Sequence, residues 1–182
     1  MLLLRVWKAL LLRLRHLKLL VSARRLSLER ISKVRTGNIL VLCYGNIYRS
    51  PFVERRLRAC LGETWQLRSA GFHQKIGRPC EPDYIPIAAQ YGADLITHRS
   101  RFVSHDDIDW ADLVIIMDRK NHDQLAETYP DSLDKVVWVA AALGGLVPEV
   151  DDPYGKTHNQ VERLVRRMDE SVAALCALLN TD

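Results

Sequence analysis

The sequence predicts an α/β fold: a four-stranded parallel sheet with helices on both faces, preceded by an N-terminal amphipathic helix. Short, almost wholly apolar runs, typical of strands buried on both faces, alternate with longer segments of helical periodicity. A chain of 182 residues, 48% of them hydrophobic, is long enough for one such domain and an appendage.

The predicted elements follow one another from residue 38 onward. Strands are predicted at NILVLC (38–43), WQLRSA (65–70), DLVIIM (112–117) and KVVWVA (135–140). Helices are predicted at 51–61, 83–92, 118–128 and 160–179. Pro51 suits a first helical turn because the N–H that proline lacks has no intrahelical partner there. Regular alternation of strands and helices favours parallel pairing.

The net charge of +4 is unevenly distributed along the chain. Residues 1–36 carry ten Lys or Arg residues and one acidic residue, Glu29. The remaining residues carry sixteen basic and twenty-one acidic side chains. The basic character therefore belongs to the N-terminal segment, and nucleic-acid binding by the whole protein is not expected.

The four cysteines are scattered without CxxC spacing or nearby histidine pairs; they are Cys43, Cys60, Cys80 and Cys176. Such spacing argues against a zinc site and against the disulfide framework of a small secreted protein. The sequence therefore predicts a reducing, cytoplasmic setting and no metal.

Residues 1–36 are predicted to be a basic amphipathic extension with a linker at 22–36, before a domain at 37–182. Its apolar residues recur at spacings of three and four, on one helical face: Leu3, Val6, Leu10, Leu14, Leu17 and Val21. The opposite face carries Arg5, Lys8, Arg15 and His16. A transmembrane span is disfavoured, since each central Arg or Lys costs about 2.5 to 3.5 kcal/mol.

Several interpretations of this extension stay open. Residues 1–25 could lie on an anionic membrane surface, as basic amphipathic helices do. The apolar stripe could equally pack on the domain or bind a partner helix. An organelle transit peptide or an over-extended start are further alternatives.

The segment CYGNIYRS (43–50) carries the strongest chemical signal, at the junction of the first strand and the first helix. Ligands of parallel sheets bind beyond the carboxyl ends of the strands, where Cys43 lies. Gly45 and Asn46 tolerate left-handed backbone, so the loop and the helix N-terminus can surround an anion with N–H groups. A cysteine there is an activated nucleophile, and Arg49 can grip two phosphate oxygens.

Each residue alone has a less specific interpretation. Cys43 could be a small buried apolar residue, Arg49 a surface ion-pair residue, and the DDP sequence before Tyr154 a turn. The spacing at a strand-to-helix junction favours chemistry instead. A phosphate ester also needs a proton donor for its leaving group. The loop at 43–50 lacks the Gly-Lys-Ser/Thr that a nucleotide-binding loop carries at this place.

Several motifs occur in the order known from one family: CYGNIYRSP, SAG (69–71), GRPCEPD (77–83), THRSRF (97–102), DLVIIMDRKN (112–121) and DDPYG (151–155). Over residues 37–180 the chain resembles the low-molecular-weight protein tyrosine phosphatases. The resemblance implies a phosphotyrosine protein phosphatase I-like fold and hydrolysis of phosphotyrosine without a cofactor.

The resemblance also implies roles for individual residues. Cys43 would form a cysteinyl-phosphate, Arg49 would bind the phosphoryl oxygens, and Asp152 would act as general acid and then activate water. Ser50 would hydrogen-bond the thiolate. The remaining phosphate-binding and supporting residues would be Tyr44, Gly45, Asn46, Ile47, Tyr48, Ser69 and His98, with Tyr154 at the rim of the pocket. The family's Trp or Tyr on the pocket wall is missing after SAG, and Phe72 would substitute for it at the rim.

Some of these assignments have alternatives or depart from the family pattern. His98 is expected to support the loop rather than act as a base, and Asp118 could simply cap the helix that follows it. Tyr48 stands where family members often carry a second cysteine that protects the nucleophile from over-oxidation. Tyr44 stands where the rim is frequently aliphatic.

Two rival functions belong to other classes. Arsenate reductases use a similar loop but need a relay of further cysteines, whereas the DPY sequence at Asp152 favours a phosphatase. A phosphoprotein-binding module without turnover would lack Cys43, Arg49 or Asp152, and all three are present. The expected partner is a tyrosine-phosphorylated protein, such as the autophosphorylating kinases on which bacterial relatives act.

Overall fold

The computed structural model describes residues 7, 18, 20–145 and 147–181. Within these residues lies one sheet of four strands: β1 (Gly37–Cys43), β2 (Trp65–Gly71), β3 (Leu113–Ile116) and β4 (Val136–Trp138). All neighbouring strands are parallel, in the order β2-β1-β3-β4. The predicted fold class is confirmed.

The helices also follow the predicted order, with two additions. They are α1 (20–31), α2 (Arg49–Cys60), α3 (Ile85–Ala89), α4 (His105–Trp110), α5 (Arg119–Thr128) and α6 (His158–Leu179), with a 3₁₀ helix at Pro130–Lys135. The sequence did not predict α4, which a capping box between Ser104 and Asp107 starts, or the 3₁₀ helix. Helix α3 is shorter than predicted.

Alternate residues of β1 face opposite sides of the sheet and so divide the core into two clusters. Ile39, Val41 and Cys43 lie in one cluster with buried residues of α2, α3 and α6. Leu40 and Leu42 lie in the other with residues of α1, α4 and α5. Because β1 is buried on both faces, its carboxyl end is held rigidly, and Cys43 is its last residue.

Helix α1 covers the free edge of β4. The Ser27 hydroxyl accepts a hydrogen bond from the Trp138 backbone N–H at 3.0 Å, and Arg30 donates to the Val136 carbonyl at 2.5 Å. The prediction of a linker over 22–36 is therefore wrong for residues 22–31. An uncovered edge strand presents unpaired backbone groups to other chains, and α1 satisfies two of them.

The described residues of the N-terminal segment differ in their exposure to solvent. Leu20 and Ala23 are buried, whereas Val21 and Trp7 are each 61% exposed. The other members of the predicted apolar stripe lie outside the described residues. Among the helices that the structure describes, none is long and apolar enough to cross a bilayer.

The cysteines depart from the expectation of a fully reduced chain. Cys60, at the end of α2, and Cys176, in α6, form a disulfide with a Cα–Cα distance of 6.3 Å. They are 116 residues apart in sequence, so only the packing of α2 against α6 brings them together. Cys43 and Cys80 are free and buried.

Candidate active site

The loop between β1 and α2 folds around the thiol of Cys43. Asn46 adopts a φ of +50°, and no other non-glycine residue in the described part of the chain has a positive φ. Its N–H donates to Cys43 Sγ at 3.2 Å, and Ser50 Oγ lies 3.0 Å from the same sulfur. Gly45, expected to share the left-handed conformation, does not adopt it. The sulfur is therefore surrounded by donors suited to a thiolate.

The Asn46 side chain holds this strained backbone in place. Its Nδ2 donates to Ser50 Oγ at 2.9 Å and to Ser69 Oγ at 3.1 Å. Ser69 donates in turn to Glu54 Oε2 at 2.6 Å, and the Arg101 N–H donates to Asn46 Oδ1 at 3.0 Å. The predicted residues Ser50 and Ser69 thus meet at Asn46. Sequence reasoning missed Glu54 and Arg101, which lie eight and fifty-five positions from Asn46.

His98 contacts the same loop residue from the other side. A carbonyl oxygen can only accept, so His98 Nε2–H donates to the Asn46 carbonyl, at 2.8 Å. Burial lowers the pKa of His98 against the opposing effect of this bond. The imidazole is therefore neutral at neutral pH. It contacts the backbone of the loop and is not among the residues that line the cavity at Cys43.

Gly71 is a further requirement of the loop that sequence reasoning did not single out, although it ends the SAG motif. A Cβ at Gly71 would lie 2.8 Å from the Tyr44 carbonyl oxygen and 2.9 Å from the Asn46 nitrogen. The N–H groups of Phe72 and His73 both donate to that carbonyl, at 2.9 Å. Only glycine allows β2 to approach the loop so closely.

Arg49 is 1% exposed and lies between two carboxylates. Its Nη1 donates to Asp118 Oδ2 at 2.5 Å, and its Nη2 donates to Asp152 Oδ2 at 2.6 Å. Burial disfavours the charge, but Cys43 and both carboxylates outweigh it and raise the pKa of Arg49. Arg49 Nε is buried without a partner among the described residues. Arg49 Nε is thus available to a ligand, and Nη2 becomes available if the Asp152 carboxylate moves away.

Asp118 caps the helix that follows it and also contacts Arg49. Its Oδ1 accepts from the Asn121 N–H at 2.9 Å, which caps α5. Its Oδ2 accepts from Arg49. Because α5 follows β3 directly, the cap fixes Asp118 beside the loop, and Asp118 then orients the guanidinium.

A cavity of about 290 Å³ opens above Cys43. Its aromatic lining is Tyr44, Tyr48 and Tyr154, and its other lining residues are Cys43, Gly45, Ile47, Arg49, His73, Arg78 and Asp152. The prediction of Phe72 at the rim is wrong. Phe72 packs against the second core cluster, because the chain turns after β2, and His73 takes the wall, 5.5 Å from the Tyr44 ring.

Tyr48, which stands where family members often carry a second cysteine, packs against another aromatic ring. Its ring meets Tyr84 edge-on with centroids 4.9 Å apart. The nearby free thiol is Cys80, whose pKa is raised to about 12, first by burial and then by Cys43. A protonated thiol is a poor nucleophile, so Cys80 is not poised to protect Cys43 by forming a disulfide.

Comparisons with known proteins identify the family of this chain. The family model for low molecular weight phosphotyrosine protein phosphatases matches residues 38–182. The phosphatase Wzb of Escherichia coli K12 is 30% identical over 146 residues, 80% of this chain and 97% of Wzb. The probable phosphatase EpsP of Ralstonia solanacearum is 30% identical over 75% of this chain and 91% of its own.

Solved structures share the fold as well. The tyrosine phosphatase AmsI of Erwinia amylovora superposes with a TM-score of 0.74 at 26% identity, over 80% of this chain and 95% of AmsI. The arginine phosphatase YwlE of Geobacillus stearothermophilus gives 0.70 at 23% identity, over 78% and 91%, which indicates a shared fold alone. With a family model matched from β1 to the end of α6, the chain belongs to the low molecular weight phosphotyrosine protein phosphatase family.

Proposed function

We propose that this protein hydrolyses phosphotyrosine in proteins through a cysteinyl-phosphate intermediate. The observation that carries the proposal is the meeting of three groups at one cavity: the Cys43 thiol, the Arg49 guanidinium and the Asp152 carboxylate. A nucleophile, an oxyanion-binding fork and an acid are the parts that phosphoryl transfer to a thiol requires.

Binding of the phosphate begins with an exchange at Arg49. The free Nε and the Nη2 that now contacts Asp152 form one edge of the guanidinium, which suits two phosphate oxygens. A dianion bound there displaces the Asp152 carboxylate. The Asp152 side chain is 42% exposed and also borders an adjoining cavity of about 440 Å³, so it has room to move toward the leaving oxygen.

In the first chemical step Cys43 Sγ attacks phosphorus and the bond to the tyrosyl oxygen breaks. Once displaced from Arg49, the Asp152 carboxylate takes up a proton from solvent. As a carboxylic acid it then gives this proton to the tyrosyl oxygen, so tyrosine leaves as a neutral phenol. In the second step Asp152, now a carboxylate, takes a proton from water as the water oxygen attacks phosphorus. The S–P bond breaks, Ser50 donates to the returning thiolate, and inorganic phosphate is released.

The aromatic lining supports an aryl substrate. Tyr44 and Tyr154 are 48% and 73% exposed, so both can stack on a phenyl ring. We expect the protein to hydrolyse phosphotyrosine peptides in the presence of a chelator, at least about ten times faster than matched phosphoserine or phosphoarginine peptides. Hydrolysis is measured as release of inorganic phosphate and as disappearance of the phosphopeptide from the mass spectrum. Preference for phosphoarginine, or thiol-dependent reduction of arsenate without phosphate release, contradicts the proposal.

We further propose that the N-terminal segment attaches the protein peripherally to an anionic membrane surface. Its charge is strongly basic, and Val21, at the end of the predicted apolar stripe, is exposed rather than packed on the sheet. Removing residues 1–36 would also remove α1 from the edge of β4. A test should therefore change charges in the full chain.

In co-sedimentation with vesicles, the full chain is expected to bind anionic but not neutral lipid. Each basic residue near such a surface contributes about 1 kcal/mol, so the Arg5→Glu, Lys8→Glu variant should bind at least about 30-fold more weakly. The matched control, Arg163→Glu, Arg166→Glu, changes two exposed charges on α6. Equal binding by the first variant and the wild type refutes membrane attachment.

A further inference from the structure

Arg78 brings a second guanidinium to the rim of the catalytic cavity. It lies in the segment after β2 and lines the cavity with His73. Its side chain is half-buried rather than extended into solvent. A charged group held at a rim encounters the residues that flank the reacting side chain of a substrate.

The position of Arg78 is fixed at both ends. Its own N–H donates to Ser100 Oγ at 3.0 Å, and its carbonyl accepts from the Ser100 N–H at 2.8 Å. At the other end Nη2 donates to the Gly45 carbonyl at 2.6 Å and Nε donates to the Lys75 carbonyl at 3.0 Å. Both acceptors are neutral carbonyl oxygens, so the positive charge of Arg78 is not offset by these contacts.

The two cations of the cavity therefore differ. Arg49 contacts two carboxylates, Asp118 and Asp152, which offset its charge before any substrate arrives. No salt bridge to a carboxylate is found for Arg78 among the residues that the structure describes. Within the described part of the chain, Arg78 is thus a cation at this cavity without an acidic partner.

Tyr48 also lines the cavity and has acidic neighbours. Burial raises the pKa of Tyr48 to about 12, and the neighbouring carboxylates of Glu81, Asp152 and Asp83 add to the rise. An acidic residue next to the phosphotyrosine would be repelled there and attracted on the side of Arg78. Among the described residues that line the cavity, Arg78 and Tyr48 therefore offer an acidic side chain different electrostatic surroundings.

We infer that Arg78 selects phosphotyrosine with an acidic side chain on one flank, which its guanidinium binds at the rim. The inference rests on the proposed function and names a substrate class for that site. The occupant is a carboxylate, or a second phosphotyrosine, of the phosphoprotein itself. Because Arg78 is half-buried and preorganised, the contact should exceed an ordinary surface ion pair.

Three phosphotyrosine peptides test the inference: one with Glu before the phosphotyrosine, one with Glu after it, and one with Gln at both places. In the wild type, one of the two Glu peptides should exceed the Gln peptide in kcat/KM by about 3- to 10-fold, mostly through KM. In Arg78→Met the advantage should disappear. Arg78→Lys, which keeps the charge but not the fork, should retain part of it.

The ratio of kcat/KM between the Glu and Gln peptides distinguishes substrate recognition by Arg78 from its support of the loop. Loss of the bond to Gly45 can lower turnover of every substrate, but such a loss cancels in the ratio. The control Lys75→Met removes an exposed cation from the same segment and should leave the ratio unchanged. Equal use of all three wild-type peptides, or an advantage that survives in Arg78→Met, overturns the inference. Failure to hydrolyse any of them contradicts the proposed function instead.

Discussion

Cys43→Ser is expected to lower kcat on phosphotyrosine peptides by at least about 10⁴-fold while leaving oxyanion binding largely intact. The hydroxyl has nearly the size of the thiol but remains protonated and is a far weaker nucleophile at neutral pH. The groups that grip the phosphate stay in place, because Asn46 is held by Ser50, Ser69 and His98 rather than by the sulfur alone.

Two measurements separate these effects. Turnover is measured as phosphate release. Binding is measured as the rise in melting temperature on adding inorganic phosphate, because a bound ligand stabilises the folded state by about 2.7 kcal/mol when its concentration is 100 times Kd. The matched control is Cys80→Ala, since Cys80 is also a buried free cysteine but does not line the cavity. Turnover by Cys43→Ser within tenfold of the wild type would contradict the proposed mechanism.

The same variant can identify the physiological partner. Combined with Asp152→Ala, it should hold a phosphoprotein in the cavity without releasing it. Recovery of an autophosphorylating tyrosine kinase on this variant would support the proposed class of partner. Release of the bound protein by inorganic phosphate would place it at the catalytic cavity.

The segment 43–50 was predictable because its chemistry is local. The thiol, the anion-binding loop and Arg49 lie within eight residues at one strand-to-helix junction, and the spacing alone indicates their function. The strands were equally evident, since burial on both faces leaves continuous apolar runs such as the one at β3. The resemblance then supplied Ser69, His98 and Asp152, which no local pattern connects to the loop.

Contacts between distant segments account for what the sequence did not reveal. Residues 22–31 look like a linker until β4 provides Trp138 and Val136 as partners for Ser27 and Arg30, more than a hundred positions away. Arg78 reaches Gly45 across thirty-three positions, so its place at the rim has no local signal. Phe72 was assigned to the pocket rim because its aromatic character was visible in the sequence, whereas the turn after β2 that brings His73 to the wall was not.

Asp152→Asn is expected to slow phosphotyrosine hydrolysis by about 10² to 10⁴, the usual loss for a general acid. The loss should be smaller on p-nitrophenyl phosphate, because a more acidic phenol leaves without a proton. The matched control is Asp151→Asn, which alters an adjacent carboxylate whose side chain is 77% exposed and 3.9 Å from Lys156. If only Asp151→Asn lost phosphotyrosine hydrolysis, Asp151 rather than Asp152 would be the general acid.

The same substitution should strengthen phosphate binding. In the wild type a phosphate must displace the Asp152 carboxylate from Arg49 Nη2, whereas a neutral amide competes less for that donor. Since Asp152 is partly exposed and screened, we expect phosphate affinity to rise by about 3- to 10-fold rather than more. Turnover and affinity then change in opposite directions. A variant that was merely misfolded would lose both, so titration with phosphate distinguishes a missing acid from a damaged site.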